Sequence, residues 1–440
     1  MTLRRALGPF DATMVVVGGI IGAGIFINPS LVAQRLASPA LVLAAWAAGG
    51  AIAVAGALAF AELGARLPRA GGQYAYLSDA VHPMAGFLFG WASLLMIQGG
   101  GLAAVAITFA QYALRLVGGE PAHATAVAIA ALLVLAAVNV AGVKPGSRLL
   151  NVLVLLKVAA LAALILGGLL ASRLPAAPPT ESAPPGSTGV LAFGSALIPI
   201  LFSYGGWQNV NVIAEEIREP ARTVPRALLA GTAIVVAVYL LVNVVYLAAL
   251  SREGLAATLT PAADSVRRLF GLGADRFIAA AIAISTFGFL DVTLLAPTRI
   301  TYAMARDGHL PSALGHLHER FRTPAWAIAL QAAWAIVLVL TGTFGELVDS
   351  VVFADWIFFG LTVATLFVYR RRPGRPGSPG SFRVPGHPIL PALFVAVSAF
   401  VVASVVVSNP RRSAWGALLL ASGVPIYLLA SRRQKRGQGR

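Results

Sequence analysis

The sequence predicts an all-α, polytopic membrane protein, and three observations lead to that prediction. Of the 440 residues, 58% are hydrophobic and only 11% are charged, whereas a soluble domain carries about 25% charged residues. Apolar runs recur along the whole chain, each long enough to cross ~30 Å of hydrocarbon as a helix. The alternating pattern of a barrel strand is absent from these runs. Because lipid cannot satisfy backbone polar groups, the runs are predicted to be helices.

The apolar runs define twelve predicted membrane spans. They are residues 12–37, 39–65, 83–116, 123–142, 148–171, 190–216, 225–250, 276–305, 324–342, 347–369, 388–408 and 412–431. The candidate linkers, 174–189 and 371–388, are rich in proline and too short to be domains. The chain is therefore predicted to form one transmembrane domain, residues 1–440.

Lysine and arginine are distributed unequally among the loops. With both termini inside, most of the 33 basic residues fall in inner segments, as the positive-inside rule requires. The sequence therefore predicts a multi-pass protein of the cell membrane with cytoplasmic termini and no removable signal peptide. The net charge is +16, but the basic tail at 432–436 is interpreted as an orientation signal next to anionic lipid, so no nucleic-acid partner is predicted.

The composition also limits the chemistry. The chain has no cysteine, which excludes thiolate metal sites, cysteine nucleophiles and a disulfide-linked partner subunit. His309, His316 and His318 lie close in sequence without a repeated metal-ligand spacing, so no metal site is predicted. The spans offer almost no groups that could converge as nucleophile, base and metal ligand. An enzyme is therefore not expected, and no cofactor is predicted.

Two spans are interrupted by glycine. Residues 18–26 of the first span read GGIIGAGIF, and residues 202–207 of the sixth read FSYGGW. An offset of five spans places the second copy upside down relative to the first. The sequence thus predicts inverted repeats at 10–171 and 190–370, followed by two helices within 388–431.

An interrupted span exposes polar backbone at mid-membrane. Glycine costs about 1 kcal/mol against alanine in a helix interior, and an unwound turn frees N–H and C=O groups. A half-helix N-terminus attracts an anion and a C-terminus attracts a cation, so two crossed breaks favour a zwitterion such as an α-amino acid. The alternative is that these glycines only allow close packing, which is the reading we favour for Gly99–Gly101 in the third span.

Four motifs resemble those of one transporter family. They are GAGIF at 22–26, AELGARLPRAGGQYAYL at 61–77, FSYGGWQNVNVIAEEIREPARTVPRA at 202–227 and YAMARDGHLP at 302–311. Together they resemble the amino acid–polyamine–organocation superfamily and, within it, the L-type amino acid transporter (LAT) family, over nearly the whole chain. The resemblance implies a LeuT-like fold of two inverted five-helix repeats plus two C-terminal helices, with the first and sixth helices unwound at mid-membrane.

The resemblance also implies a substrate site between the two breaks. The substrate carboxylate would bind amides around three residues: Gly22, Ala23 and Gly24. The substrate amine would bind carbonyls of four residues: Ile20, Phe202, Ser203 and Gly205. Phe202 would act as a gate, and Gln208 and Asn209 would line the side-chain pocket. Members that accept cationic amino acids can place an acid at the position of Gly205, so glycine there predicts a neutral substrate.

Two charged residues lie deep within spans. Lys157 follows Arg148 by nine residues, about 13 Å along a helix, which is too far inside for easy snorkelling to the inner surface. An intramembrane charge costs about 2.5–3.5 kcal/mol unless it is compensated. The resemblance implies that Lys157 occupies the place of a sodium ion and bridges the first and eighth helices. Asp291, in the eighth span, is expected to pair with Lys157, to carry a proton or to contact a substrate amine, and pairing is the preferred hypothesis.

The sequence therefore predicts a secondary transporter of small or medium neutral L-amino acids that works by sodium-independent exchange. A proton-coupled symporter, with Lys157 or Asp291 as the titrating group, is the alternative within transport. A channel or a nutrient receptor built on the same fold also stays open, because a sequence shows a binding site more readily than turnover.

Overall fold

The computed structural model describes residues 7–68, 71–141, 147–170, 186–271, 273–306, 308–319, 321, 323–372 and 382–438. Residues 174–185 of the first predicted linker and residues 373–381 of the second lie outside the described residues. The α-helices are α1 (Pro9–Ile20), α2 (Gly24–Arg35), α3 (Pro39–Arg66), α4 (Gln73–Ala80), α5 (Pro83–Ala92), α6 (Gln98–Val117), α7 (Ala124–Val140), α8 (Ser147–Leu170), α9 (Val190–Tyr204), α10 (Asn209–Val212), α11 (Pro220–Ala257), α12 (Pro261–Phe270), α13 (Ala274–Arg306), α14 (Ala325–Thr341), α15 (Phe344–Arg371), α16 (Ile389–Ser408) and α17 (Pro410–Gln438). A π-helical turn, Ser93–Ile97, joins α5 to α6.

The prediction of an all-helical membrane protein is confirmed. Each predicted span contains helix, and nine described stretches are long and apolar enough to cross a membrane. Two further apolar helices, α9 and α14, are shorter. Extended backbone in the described chain pairs at two isolated bridges, Leu7–Ile217 and Leu36–Ser187.

Two helices and one boundary were not predicted. The sequence treats 251–275 as a loop, but it contains α12, which carries Arg267 and Arg268 and therefore has too little apolar length to read as a span. The short α4 was missed because it too has too little apolar length to be recognised as a span. The seventh span is longer than predicted because Pro220 starts α11 and the helix continues past a kink at Ser251, where φ is 61°.

Aromatic side chains pack three of the helices around the middle of the bundle. Trp46 of α3 lies 5.6 Å from Tyr204 of α9 and 5.8 Å from Tyr239 of α11, measured between ring centroids. All three rings are buried. Edge-to-face contacts of this kind position α3 and α11 against α9 close to where α9 ends.

Glu62, near the C-terminal end of α3, is the centre of a buried ionic network. Its carboxylate accepts hydrogen bonds from Arg66 (2.8 Å), from Arg370 (2.9 Å to Nε) and from the Val384 amide (2.7 Å). These contacts join α3 to α15 and to the segment that precedes α16. The carboxylate is fully buried, and its partners satisfy it, so its role is structural.

Candidate functional site

The first span is broken near its middle. α1 ends at Ile20 and α2 begins at Gly24, and between them the Gly22 amide donates to the Ile20 carbonyl at 2.7 Å. In the first turn of α2 the Phe26 amide donates to the Ala23 carbonyl at 3.1 Å. The amides before it have no carbonyl one turn earlier to bond, and the helix dipole adds partial positive charge there. The residues predicted to bind a carboxylate, Gly22, Ala23 and Gly24, all lie buried in this break.

The sixth span is broken in the same way. α9 ends at Tyr204, and the Gly205 amide turns back to the Phe202 carbonyl at 3.2 Å. Gly206 follows with φ +110°, and its amide donates to Oε1 of Gln208 at 2.9 Å. Gln208, predicted as a pocket residue, therefore shapes the turn. The last carbonyls of α9 lack helical donors and carry partial negative charge.

The two breaks are in direct contact. A Cβ added at Gly24 would lie 2.6 Å from Cα of Ser203, so the start of α2 touches the end of α9 through backbone. Nδ2 of Asn28 reinforces this contact by donating to the Pro199 carbonyl and to Oγ of Ser203, both at 2.8 Å. The positive end of α2 thus meets the negative end of α9, which suits the two charges of a zwitterion.

One predicted amine ligand is already engaged in this conformation. The Ile20 carbonyl accepts hydrogen bonds from the Gly22 amide and from the Tyr239 hydroxyl, the latter at 3.0 Å, and a carbonyl oxygen has two lone pairs. Tyr239 of α11 was not identified from the sequence. The available signal was a tyrosine inside an apolar span, whose buried hydroxyl must find a partner.

Lys157 reaches the first break from α8. Its Nζ donates to the Ile21 carbonyl at 2.9 Å and lies 4.8 Å from the ring centroid of Phe289 in α13. The side chain is buried, so the charge sits at the break and not at the inner surface. The ammonium contacts both the first and the eighth span, although its contact with the eighth is an aromatic ring.

The expected pairing of Lys157 with Asp291 is wrong. Oδ1 of Asp291 accepts a hydrogen bond from Nδ2 of Asn139 in α7, at 2.6 Å, and the described contacts of Lys157 are with Ile21 and Phe289. Phe289 and Asp291 are two positions apart, about 200° around α13. With Phe289 facing Lys157, Asp291 must face the other side of the helix.

A second acid, Asp355, lies near the middle of α15 and was missed in the sequence. Val351, one turn before it, packs on Gly100 of α6, and Phe359, one turn after it, stacks on Trp207 at 5.1 Å. Asp355 shares their face of the helix. Its neighbours on that face are buried, whereas Asp355 keeps accessible surface. An acid in mid-span is itself a signal of function.

Open space adjoins this part of α6. Gly100 packs on Val351 as predicted for a packing surface, but a Cβ added at Gly101 would meet no atom within 4 Å. Gly101 lies on the same face as Tyr112, three turns later, and the Tyr112 hydroxyl donates to the Phe26 carbonyl of α2 at 2.8 Å. Through Tyr112 this face of α6 contacts α2. Among the described residues, no three His, Asp or Glu side chains gather as metal ligands.

Comparison with known proteins identifies one family that this chain matches. The model of the amino acid permease family matches residues 7–430. The chain is 30% identical to the serine/threonine exchanger SteT of Bacillus subtilis, over 98% of both chains. It is 32% identical to the human b(0,+)-type amino acid transporter 1, over 97% of this chain and 88% of the relative. It is 31% identical to the mouse Asc-type amino acid transporter 1, over 98% of this chain and 82% of the relative.

These matches confirm the resemblance to the L-type transporters that the sequence motifs indicate. The family and the relatives are transporters and not enzymes. The matches extend over almost the whole chain, so they include both breaks and the helices that surround them.

Replacing Gly206 with alanine tests the geometry of the second break. Alanine at φ +110° is strained by about 1–3 kcal/mol, and its Cβ would lie 2.1 Å from the Gly19 carbonyl oxygen. We expect Gly206→Ala to lower the Tm of the detergent-solubilised protein. Gly101→Ala is the matched control, since its Cβ enters open space and alanine favours helix by about 1 kcal/mol. Equal Tm values for Gly206→Ala and wild type would contradict this geometry.

Proposed function

The chain belongs to the amino acid permease family, and from that premise we propose that it is a secondary transporter of small or medium neutral L-amino acids. It exchanges one amino acid for another by alternating access, without sodium. The observation that carries the proposal is the contact between the positive end of α2 and the negative end of α9. Exchange and small substrates also agree with the relative named a serine/threonine exchanger.

The proposed topology is LeuT-like. Twelve crossings in one domain, 1–440, comprise inverted repeats at 10–171 and 190–370 and two further helices within 388–431, with both termini in the cytoplasm of a cell. The breaks after α1 and α9 occur in the first and sixth crossings, the equivalent positions of two five-helix repeats. Unwinding at mid-membrane would place the substrate at equal distance from both surfaces.

The two charged groups of the amino acid bind opposite helix ends. Its carboxylate binds the amides of Ala23 and Gly24, and also the amide of Gly22 once that amide leaves the Ile20 carbonyl. Its ammonium binds carbonyls at the end of α9, from Phe202, Ser203 and Gly205. The carbonyl of Ile20 joins them when the Tyr239 hydroxyl releases it. Phe202, which is half-buried beside the break, closes over the substrate as the gate.

The remaining residues of the site select substrates by their side chain. Gly205 offers no charge at the break, which favours neutral substrates, and Asn209 is exposed next to the turn that Gln208 shapes. Asp355 keeps accessible surface on α15 between Val351, which packs on Gly100, and Phe359, which stacks on Trp207, and we place its carboxylate in the side-chain pocket. A carboxylate in apolar surroundings gains most from a hydrogen-bond donor, so Asp355 favours small substrates with a side-chain hydroxyl.

Lys157 accounts for sodium independence. Its ammonium supplies a fixed positive charge at the Ile21 carbonyl, where a bound cation would otherwise be needed at the negative end of α1. Asp291 is held by Asn139, away from that ammonium. No disulfide can tie a partner subunit to this chain, because it contains no cysteine.

Uptake into proteoliposomes tests the proposal. Vesicles, either empty or preloaded with unlabelled amino acids, receive labelled serine or alanine without sodium, with and without an inward proton gradient. We expect uptake into the preloaded vesicles and none into the empty ones. Uptake into empty vesicles driven by the proton gradient would identify a symporter instead. Binding without accumulation would identify a receptor.

Lys157→Ala is expected to impair exchange more than folding. The substitution leaves the Ile21 carbonyl unpaired, at a cost of about 1–3 kcal/mol, and removes the charge that organises the break. The measurement is the exchange rate per folded molecule, with the Tm as the index of folding. Lys144→Ala, in a predicted inner loop, is the matched control. Normal exchange by Lys157→Ala would refute the role of this lysine.

Asp355→Leu is expected to change selectivity. A hydrogen bond to a charged group contributes about 1.5 kcal/mol, so the preference for serine over alanine should fall roughly tenfold. Leucine is favourable for membrane insertion where a charge is costly, and the Tm of the variant shows whether the protein remains folded for the assay. Competition between serine and alanine in the exchange assay gives the ratio. An unchanged ratio would exclude Asp355 from the side-chain pocket.

A further inference from the structure

The short helix α12 has one buried side and one exposed side. It packs against α11 and α13, and its buried residues are Pro261, Ala262, Ala263, Ser265 and Val266. Arg267, Arg268 and Phe270 are exposed. Arginine and phenylalanine next to each other suit the boundary between lipid headgroups and hydrocarbon, because the charge stays at the polar surface while the ring contacts acyl chains.

The ring of Phe270 lies against the C-terminal end of α8. A Cβ added at Gly167 would lie 2.1 Å from Cζ of Phe270, so the ring occupies the space that this glycine leaves. Beside it, α8 exposes Leu166, Leu169 and Leu170, which are 61%, 49% and 83% exposed. Their spacing of three and four residues places them on one face of the helix. In a membrane, this face contacts acyl chains.

A second apolar face lies next to it on α13. Residues 271–273 alone separate Phe270 from α13, and Gly288 of α13 packs on Leu153 of α8, so the two long helices are neighbours. Phe277 is 80% exposed and Ile284, two turns later, is 59% exposed. The ring of Phe270 therefore lies between two exposed apolar faces.

The acids of this region are bound within the protein. Oδ1 of Asp264 and Oδ2 of Asp275 both accept hydrogen bonds from Nη2 of Arg115 in α6, at 2.7 and 3.2 Å. Oδ2 of Asp264 accepts from the Thr258 hydroxyl, and Oδ1 of Asp275 accepts from the Gly273 amide at 3.2 Å. Each oxygen of the two carboxylates thus has a partner in the chain.

Three arginines give the surface beside Phe270 a positive charge. Arg267, Arg268 and Arg276 are exposed. Arg267 precedes Phe270 by one helical turn, so their side chains share a face of α12, and Arg276 is adjacent to Phe277. In the proposed topology this segment is outside the cell, where the positive-inside rule gives no reason for a cluster of arginines. Orientation in the membrane therefore does not account for them.

We propose that this surface binds an anionic phospholipid, with its phosphate at Arg267 and Arg276 and its acyl chains along the exposed faces of α8 and α13. A guanidinium group can donate two parallel hydrogen bonds to phosphate oxygens. A zwitterionic lipid also brings an ammonium, which the arginines repel. A free phosphate ion would gain nothing from the apolar faces. The proposed topology enters only in assigning the lipid to the outer leaflet.

The Tm of the purified protein measures lipid binding without any transport. Phosphatidylglycerol, or phosphatidylcholine with the same acyl chains, is titrated into protein in a neutral detergent. We expect phosphatidylglycerol to raise the Tm of the wild type more than phosphatidylcholine does. Each arginine near an anionic headgroup contributes about fivefold in affinity, so Arg267→Gln/Arg276→Gln should need about 25-fold more phosphatidylglycerol for the same rise.

Two controls separate a site from diffuse attraction between charges. Arg411, at the start of α17, is also exposed, and Arg411→Gln is expected to keep the wild-type titration. Inorganic phosphate is expected to leave the Tm unchanged. The Tm without added lipid shows whether each variant is folded, and the single variants Arg267→Gln and Arg276→Gln serve if the double variant is not.

Four results would overturn the proposal. They are equal Tm rises with the two lipids, a wild-type titration in the arginine variants, an equal loss in Arg411→Gln, and stabilisation by inorganic phosphate alone. Failure of the proposed function is distinct, since a protein that performs no exchange would still show the lipid-dependent Tm.

Discussion

The ammonium of Lys157 lies 2.9 Å from the carbonyl oxygen of Ile21, in the gap between α1 and α2. A helix interrupted in lipid leaves polar groups that no water satisfies, and a lysine in lipid leaves a charge without a counterion. In this protein the Ile21 carbonyl and the Lys157 ammonium bind each other, so each offsets the cost of burying the other. Tyr239 acts in the same way on the neighbouring carbonyl of Ile20. Two surrounding helices thus hold the first break open by hydrogen bonds to its carbonyls.

This arrangement determines which backbone carbonyls and amides at the two breaks are already hydrogen-bonded and which can bind a substrate. On the α1 side of the break, side chains already occupy the carbonyls of Ile20 and Ile21. The remaining backbone groups are the amides of Ala23 and Gly24 at the start of α2 and the carbonyls that end α9. These two helix ends touch at Gly24 and Ser203. Opposite partial charges a few ångströms apart bind a small molecule that carries both signs.

Much of the architecture could be predicted from the sequence because lipid imposes strong constraints. Apolar length identified the spans, and glycine clusters identified both interruptions, since few other residues suit an unwound turn. Contacts between helices could not be predicted in the same way. The orientation of Asp291 depends on which face of α13 meets α8, and the hydroxyl of Tyr239 finds its partner across two helices. The amphipathic α12 resembled a loop because Arg267 and Arg268 interrupt its apolar residues.

We propose that an amino acid binds with its carboxylate on α2 and its ammonium on α9. An experimentally determined structure with L-serine bound in a lipid nanodisc tests this binding mode. We expect carboxylate oxygens within hydrogen-bond distance of the Gly22–Gly24 amides, and the ammonium at the carbonyls of Phe202, Ser203 or Gly205. Serine bound in the opposite orientation, or at a site away from both breaks, would contradict it.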